Sequence, residues 1–185
     1  MINNNKLIAV ASCNSEKKYV QEVLRKELIV MESRVQKALD AFNEGHNCCQ
    51  AVFSTYADLF GMDKELALKI ASPMGAGMGR MREVCGTVSA MALLAGLKEG
   101  NTDPTDENAK KDIYEKVRLL SDSFKETQGS IICRELLGIL SREKSAAPEK
   151  RTPEYYAKRP CAKFVVEAAT LIEKILLPEY FEDMK

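Results

Sequence analysis

Residues 44–54, with the sequence EGHNCCQAVFS, mark a point where one helix ends and another begins. Gly45 is typical of the position just past a helix C-terminus. Asn47 is a preferred N-cap residue, and Gln50 stands three positions later, so the two side chains can form a capping box. The two adjacent cysteines that follow Asn47 therefore lie in the first turn of the second helix.

The same reasoning, extended in both directions, predicts helices along most of the chain. Apolar residues recur at three- and four-residue steps, which is the period of an amphipathic helix, and no segment alternates as a half-buried strand does. The predicted helices cover residues 15–42, 48–60, 63–71, 84–97, 106–128, 131–137 and 160–177. The predicted fold is an all-α, single-domain helical bundle or orthogonal array of about seven helices.

The chain has 185 residues, which is the length of one domain. We predict that residues 31–178 form the helical domain, that residues 1–30 are an N-terminal extension that lengthens the first helix or covers part of the bundle, and that residues 179–185 are a tail. Residues 141–159 are charged and contain two prolines. That composition predicts a mobile excursion, which could act as a gate over a site.

The charges and the hydropathy exclude several classes of partner. The 27 basic residues balance the 27 acidic ones, so no overall field favours nucleic acid. No apolar run reaches the roughly 18 to 20 residues that span a bilayer, and we therefore expect a cytoplasmic protein without a membrane span. The alternative is a lipoprotein anchored through Cys13, because residues 10–13 (VASC) look like a lipobox. The apolar run before them is shorter than the roughly 7 to 15 residues of a signal peptide.

Four of the six cysteines stand where separate helices are predicted to begin, and these are Cys48, Cys85, Cys133 and Cys161. Ser130 is an N-cap type of residue, which places Cys133 in the first turn of its helix. Pro160 suits the first helical position, which makes Cys161 the second residue of its helix. A helix N-terminus carries about half a positive charge and unpaired N–H groups, which favour a thiolate over a thiol. The sequence therefore predicts four easily ionised thiols that gather at one site.

Capping and cationic side chains beside these cysteines are candidates for supporting roles. They are His46, Asn47, Arg80, Arg82, Ser130 and Arg134. An adjacent arginine lowers the pKa of a thiol further, so Cys85 and Cys133 are predicted to be the most activated. Cys48 and Cys161 are then the expected resolving partners, and His46 is a candidate for acid–base help to Cys48.

Four segments carry a resemblance to a known family. In order, they are GHNCCQAVF, GAGMGRMREVCGTVSAMALLAGL, SIICRELLG and RPCAKFV. Between residues 31 and 175 the chain resembles the C_GCAxxG_C_C family of bacteria and archaea, which is described as redox-active. The resemblance implies that Cys48, Cys85, Cys133 and Cys161 are the four characteristic cysteines of that family. The chain departs from the family pattern at Thr87 and Ala90, where the family typically has alanine and glycine, and these changes concern packing more than chemistry.

Three functions are compatible with these residues. The first is a thiol-based oxidoreductase in which pairs of the four cysteines cycle between dithiol and disulfide, with no cofactor and with a redox partner protein or a small electron donor or acceptor. The second is a site in which Cys48, Cys85, Cys133 and Cys161 hold zinc or an iron–sulfur cluster, although closely spaced cysteine pairs are absent. The third is a non-enzymatic helical binding module. We favour the first, and the sequence leaves open which cysteines pair and whether the chain forms oligomers.

Overall fold

The structure, a computed structural model, describes residues 31–141 and 144–181. The helices of these residues are α1 (Val35–Asn43), α2 (Cys48–Tyr56), α3 (Lys64–Ala71), α4 (Gly86–Glu99), α5 (Glu107–Gln128), α6 (Cys133–Leu136), α7 (Pro153–Lys158) and α8 (Cys161–Leu171). Turns of 3₁₀ helix follow α2, α3 and α8, at Ala57–Phe60, Ser72–Met74 and Pro178–Tyr180, and a π-helical turn at Ile172–Leu176 continues α8. The predicted extension 1–30 with Cys13, and the last four residues of the predicted tail, lie outside the described residues.

The all-α prediction is confirmed. The described residues contain no strand, only an isolated antiparallel bridge between Val84 and Ile132. The predicted helix boundaries are close but not exact, because α4 begins at Gly86 rather than Val84 and Pro160 is the N-cap of α8 rather than its first residue. No helix in this part of the chain is both long enough and apolar enough to cross a bilayer.

Residues 153–158 differ from the prediction of a mobile excursion, because they form α7. Thr152 caps this helix, and its hydroxyl accepts a hydrogen bond of 3.3 Å from the backbone N–H of Tyr155. The Tyr156 ring packs edge-on against the Phe42 ring of α1, with 5.7 Å between the ring centroids. The end of the predicted excursion is therefore packed against the helical core.

Helix α2 lies at the centre of the fold, where it contacts α1, α3, α4 and α8. Seven of its nine residues are buried, as expected of a core helix. Its Phe53 and Tyr56 are among the largest fully buried side chains, together with Met91 of α4 and Phe124 of α5. Since α2 is enclosed on several sides, its N-terminus, which carries Cys48, begins inside the protein.

A buried carboxylate joins the start of the described chain to its end. Glu173, in the π-helical turn after α8, is 1% exposed. It accepts hydrogen bonds from the Ser33 hydroxyl at 2.8 Å, from the Arg34 backbone N–H at 2.6 Å and from the Tyr56 hydroxyl at 2.8 Å. These bonds satisfy the buried charge and tie the segment before α1 to α2 and α8.

Candidate functional site

The N-terminus of α2 is held by the capping box that the sequence predicts. The Asn47 side chain accepts hydrogen bonds from the N–H groups of Cys49 and Gln50, each at 3.0 Å, and the Gln50 side chain accepts from the Asn47 N–H at 3.1 Å. The capping box is confirmed, and it fixes Cys48 as the first residue of the helix. This position exposes the Cys48 sulfur to the positive end of the helix dipole.

A left-handed turn lies beside Cys48. The φ angles of Ala76, Gly77, Met78, Gly79 and Arg80 lie between 54° and 74°. Three of these five residues carry a Cβ, and such residues rarely adopt this conformation, because each costs roughly 1–2 kcal/mol. The strain is concentrated at the site, as is common where the chain must place specific groups.

The segment after this turn runs antiparallel to the segment that leads into α6. The Cys85 N–H donates to the Ile131 carbonyl at 2.8 Å, and the Cys133 N–H donates to the Glu83 carbonyl at 2.6 Å. Cys85 is the N-cap residue of α4, and Cys133 is the first residue of α6. Two cysteines that are 48 residues apart in the sequence (133 − 85) are thereby brought into neighbouring, paired segments.

The four cysteines that begin helices line one cavity. Its remaining lining residues are Phe42, Asn47, Ala76, Arg82, Leu136, Leu137, Arg151, Tyr155, Arg159 and Phe164. Cys48, Cys85 and Cys133 are buried, whereas Cys161, the first residue of α8, is partly exposed. The cavity is therefore lined by four cysteines, each at a helix N-terminus, together with aromatic and cationic side chains.

Cys48 has the environment of a stable thiolate. The Cys85 side chain donates a hydrogen bond to the Cys48 sulfur, and the backbone groups of Ala76, Gly86 and Cys49 also bond to it. Together these bonds outweigh the effect of burial and lower the pKa of Cys48 to about 6. Cys48 is therefore largely ionised at neutral pH.

The other three cavity cysteines are held as thiols. The pKa of Cys85 lies well above its ordinary value, because its proton is donated to the Cys48 sulfur and because the side chain is buried. Burial, and next the negative charge of Cys48, raise the pKa of Cys133, and they raise that of Cys161 to about 12. The prediction that Cys85 and Cys133 are the most activated thiols is therefore wrong. Backbone N–H groups and a neighbouring thiol ionise Cys48, and no nearby arginine achieves this for the others.

Of the two arginines that precede Cys85, Arg82 lines the cavity and Arg80 does not. Arg82 is 4% exposed and donates a hydrogen bond to Cys133. Glu149 accepts from Arg82 at 3.5 Å, from Arg80 at 3.2 Å and from Arg159 at 2.6 Å. One carboxylate from the segment before α7 thus joins the glycine-rich turn to the start of α8.

Arg151 and Tyr155 also line the cavity, although no sequence motif indicated them. The Tyr155 ring lies between two guanidinium groups, with the Arg151 Cζ and the Arg159 Cζ each 4.9 Å from its centroid. Residues 151, 155 and 159 are spaced four positions apart, and this helical spacing is the sequence signal that places them on one face. The charged composition and the prolines of the segment favoured an excursion instead.

Besides Arg80, three of the predicted supporting residues do not line the cavity. His46 contributes its backbone carbonyl, which accepts a hydrogen bond of 3.3 Å from Arg151. Arg134 forms an ion pair of 2.8 Å with Glu83. Ser130 does not cap α6, since Ile132 is the N-cap residue, and the Ser130 hydroxyl accepts from the Ile132 N–H at 2.9 Å. These residues shape the loops around the site without touching its interior.

All five described cysteines are free thiols. The fifth, Cys49, is fully buried in the core, and burial raises its pKa above the ordinary range. Within residues 31–141 and 144–181, no three side chains of His, Cys, Asp or Glu type are grouped so that they could hold a metal ion.

Comparison with known proteins agrees with the resemblance in the sequence. A family model described as "Putative redox-active protein (C_GCAxxG_C_C)" matches residues 46–175. No curated protein and no solved structure matches the chain. The matched region covers more than half of the chain and contains all four cysteines of the cavity. The chain therefore belongs to the C_GCAxxG_C_C family, to which that description applies.

Proposed function

We propose that this protein is a thiol–disulfide oxidoreductase in which Cys48 is the nucleophile and Cys85 is the resolving thiol. The observation that carries the proposal is that Cys48 and Cys85 begin two helices that pack together and line the same cavity. The hydrogen bond between the two side chains lowers the pKa of Cys48 to about 6, whereas the pKa of Cys85 lies well above its ordinary value. A thiolate is the attacking species in disulfide exchange, and a protonated thiol within contact is ready to act next. The redox character of the family supports the same reading.

The proposed reaction transfers two electrons to a disulfide substrate. The Cys48 thiolate attacks one sulfur of the substrate, a mixed disulfide forms, and the other half of the substrate leaves as a thiolate. The departing thiolate takes up the proton of Cys85. The Cys85 thiolate then attacks the Cys48 sulfur, releases the second half of the substrate and leaves a Cys48–Cys85 disulfide. A dithiol reductant, small or protein-borne, returns the two electrons and restores the starting state.

Cys133 and Cys161 line the same cavity and are held as thiols. We assign them no step in the first exchange, because their pKa values favour the protonated form. The alternative in which all four cysteines hold zinc or an iron–sulfur cluster is checked by metal analysis of protein purified anaerobically without added metal.

The test is the pH dependence of Cys48 alkylation by iodoacetamide, followed by peptide mass mapping. The rate is expected to rise with pH to a plateau, with a midpoint near 6, because only the thiolate reacts. Cys85→Ala removes the hydrogen bond and should move the midpoint upward. Cys49→Ala, which removes the adjacent buried thiol outside the cavity, is the matched control and should leave the midpoint unchanged.

Oxidation with one equivalent of hydroxyethyl disulfide provides the second readout. The expected product is a disulfide that joins the Cys48 and Cys85 peptides. A Cys48 midpoint at the ordinary thiol value of about 8.5 would contradict the proposal. So would oxidation that joins other cysteines and leaves Cys48 reduced.

A further inference from the structure

The cavity that the four cysteines line also contains cationic side chains. Arg82, Arg151 and Arg159 line it, and among the described residues no aspartate or glutamate does. Glu149 binds Arg82 and Arg159 from outside this lining. A molecule that enters the cavity therefore meets both guanidinium groups and thiols.

Arg151 differs from the other two arginines in its partners. Its guanidinium stacks on three rings, with Cζ 5.1 Å from the Phe42 centroid, 4.9 Å from that of Tyr155 and 5.8 Å from that of Tyr156. Its Nη2 donates to the His46 carbonyl at 3.3 Å. Its Nη1 is buried, and no atom of the described residues accepts a hydrogen bond from it.

A buried donor without an acceptor is costly, by roughly 1–3 kcal/mol, and a folded protein rarely leaves one without a reason. The stacked rings hold the guanidinium plane in place, so little rotamer entropy remains to be lost when a partner binds. A carboxylate is the partner that a fixed guanidinium recognises best, through charge-assisted hydrogen bonds. These properties describe a preorganised binding point for an anion.

We propose that the cavity takes small disulfides that carry carboxylate groups, and that Arg151 binds a carboxylate while the disulfide lies against Cys48. This inference rests on the proposed function and adds the class of substrate to it. For dithiodiglycolate, attack by Cys48 releases one mercaptoacetate, attack by Cys85 releases the second, and the protein gains one disulfide. The two electrons and the proton of Cys85 leave with the mercaptoacetates.

The test compares the rate of Cys48 oxidation by dithiodiglycolate, which carries two carboxylates, with the rate by neutral hydroxyethyl disulfide. Each rate is divided by the rate at which free mercaptoethanol reacts with the same disulfide, which corrects for the intrinsic reactivity of that disulfide. The wild-type protein is expected to prefer the anionic disulfide about tenfold. Arg151→Gln should abolish that preference, so that the corrected rates with the two disulfides become equal.

Arg118→Gln is the matched control, because it makes the same change of charge on an exposed position of α5. It should retain the preference of the wild type. If Arg151→Gln does not fold, as judged by circular dichroism, Arg151→Lys replaces it and should reduce the preference. Equal slowing of both disulfides in the Arg151 variant, or no preference in the wild type, would overturn the inference while the proposed function stands.

Binding of adipate separates the two proposals further. Adipate has the chain length of dithiodiglycolate but no sulfur, so its binding does not depend on thiol chemistry. Calorimetry at low salt should show binding to the wild type and to Arg118→Gln, and about tenfold weaker binding to Arg151→Gln. If neither disulfide oxidises Cys48 but adipate binds in this pattern, the proposed function fails and the anion site stands. Absence of adipate binding to the wild type would overturn the site.

Discussion

Gly86 leaves the space that the Cys48 sulfur occupies. A Cβ at this position would lie 2.6 Å from the sulfur and 3.0 Å from the Met74 carbonyl oxygen. We expect Gly86→Ala to lower the free energy of unfolding by about 1–3 kcal/mol, because the sulfur or the helix must move. The same movement weakens the bonds to the thiolate, so the pKa of Cys48 should rise. Urea denaturation under reducing conditions and the pH profile of alkylation measure the two effects.

Gly96 of the same helix provides the control. A Cβ at Gly96 meets no atom within 4 Å, so Gly96→Ala creates no clash. We expect it to raise the free energy of unfolding by about 0.5–1 kcal/mol, because alanine is more favourable than glycine in a helix interior. The pKa of Cys48 should not change. If the two variants change the free energy of unfolding and the pKa of Cys48 equally, the close approach of Gly86 to Cys48 has no energetic effect.

Part of the site was predictable from single residues. The sequence indicated the capping box at Asn47 and the positions of the four cysteines near helix starts, because these signals are local. The order of thiol reactivity was not predictable, since the pKa of Cys48 depends on the Cys85 side chain and on backbone groups of Ala76 and Gly86. Those groups reach Cys48 only through the tertiary fold.

At the scale of elements, the left-handed turn stores strain that substitution can release. Met78 has a φ of 58° and is 48% exposed, so its side chain contributes little packing. Met78→Gly should raise the free energy of unfolding by roughly 0.5–1 kcal/mol, because glycine adopts this conformation without steric cost. Urea denaturation measures the change.

Met81 is the matched position, since it is 44% exposed and its φ is not positive. Met81→Gly should lower stability by a few tenths of a kcal/mol to about 1 kcal/mol, because glycine there only adds freedom to the unfolded chain. A loss of stability in both variants would mean that the turn is not strained at Met78.

The sequence also failed to indicate α7 and the left-handed turn. Helix α7 is short and follows a proline-containing charged segment. It is stabilised by the stacking of Arg151 on Tyr155 and Tyr156, and hydrophobic periodicity does not predict such contacts. The turn places non-glycine residues such as Ala76 and Met78 at positive φ, against their local preference. Both elements form because tertiary contacts outweigh local propensity.

At the scale of the whole molecule, the buried Glu173 holds together parts of the chain that are far apart in sequence. Its bond to the Tyr56 hydroxyl, at 2.8 Å, lies in the core. Tyr56→Phe should lower the free energy of unfolding by about 1–2 kcal/mol, because it removes one hydrogen bond from a buried carboxylate. Tyr114→Phe, at a 63% exposed position of α5, is the control and should be neutral in urea denaturation. If both variants unfold like the wild type, the bond contributes nothing to stability.

The class of the fold was predictable because helical periodicity extends over most of the chain. The arrangement of the helices was not, since the sequence says that four helices begin with a cysteine but not that their N-termini meet. They meet because apolar α2 is enclosed by its neighbours. The segments before α4 and α6 also pair through the bridge of Val84 and Ile132.

The separation of Cys48 and Cys85 along the chain has a mechanical consequence. They are 37 residues apart (85 − 48) and belong to two helices that pack against each other. A covalent link between them would close a loop of that length, and the chain-entropy model assigns such a loop a stabilisation of about 4 kcal/mol. Each turnover of the proposed reaction would then form and reduce a covalent link between two central helices. The oxidised protein would therefore have a higher free energy of unfolding than the reduced protein.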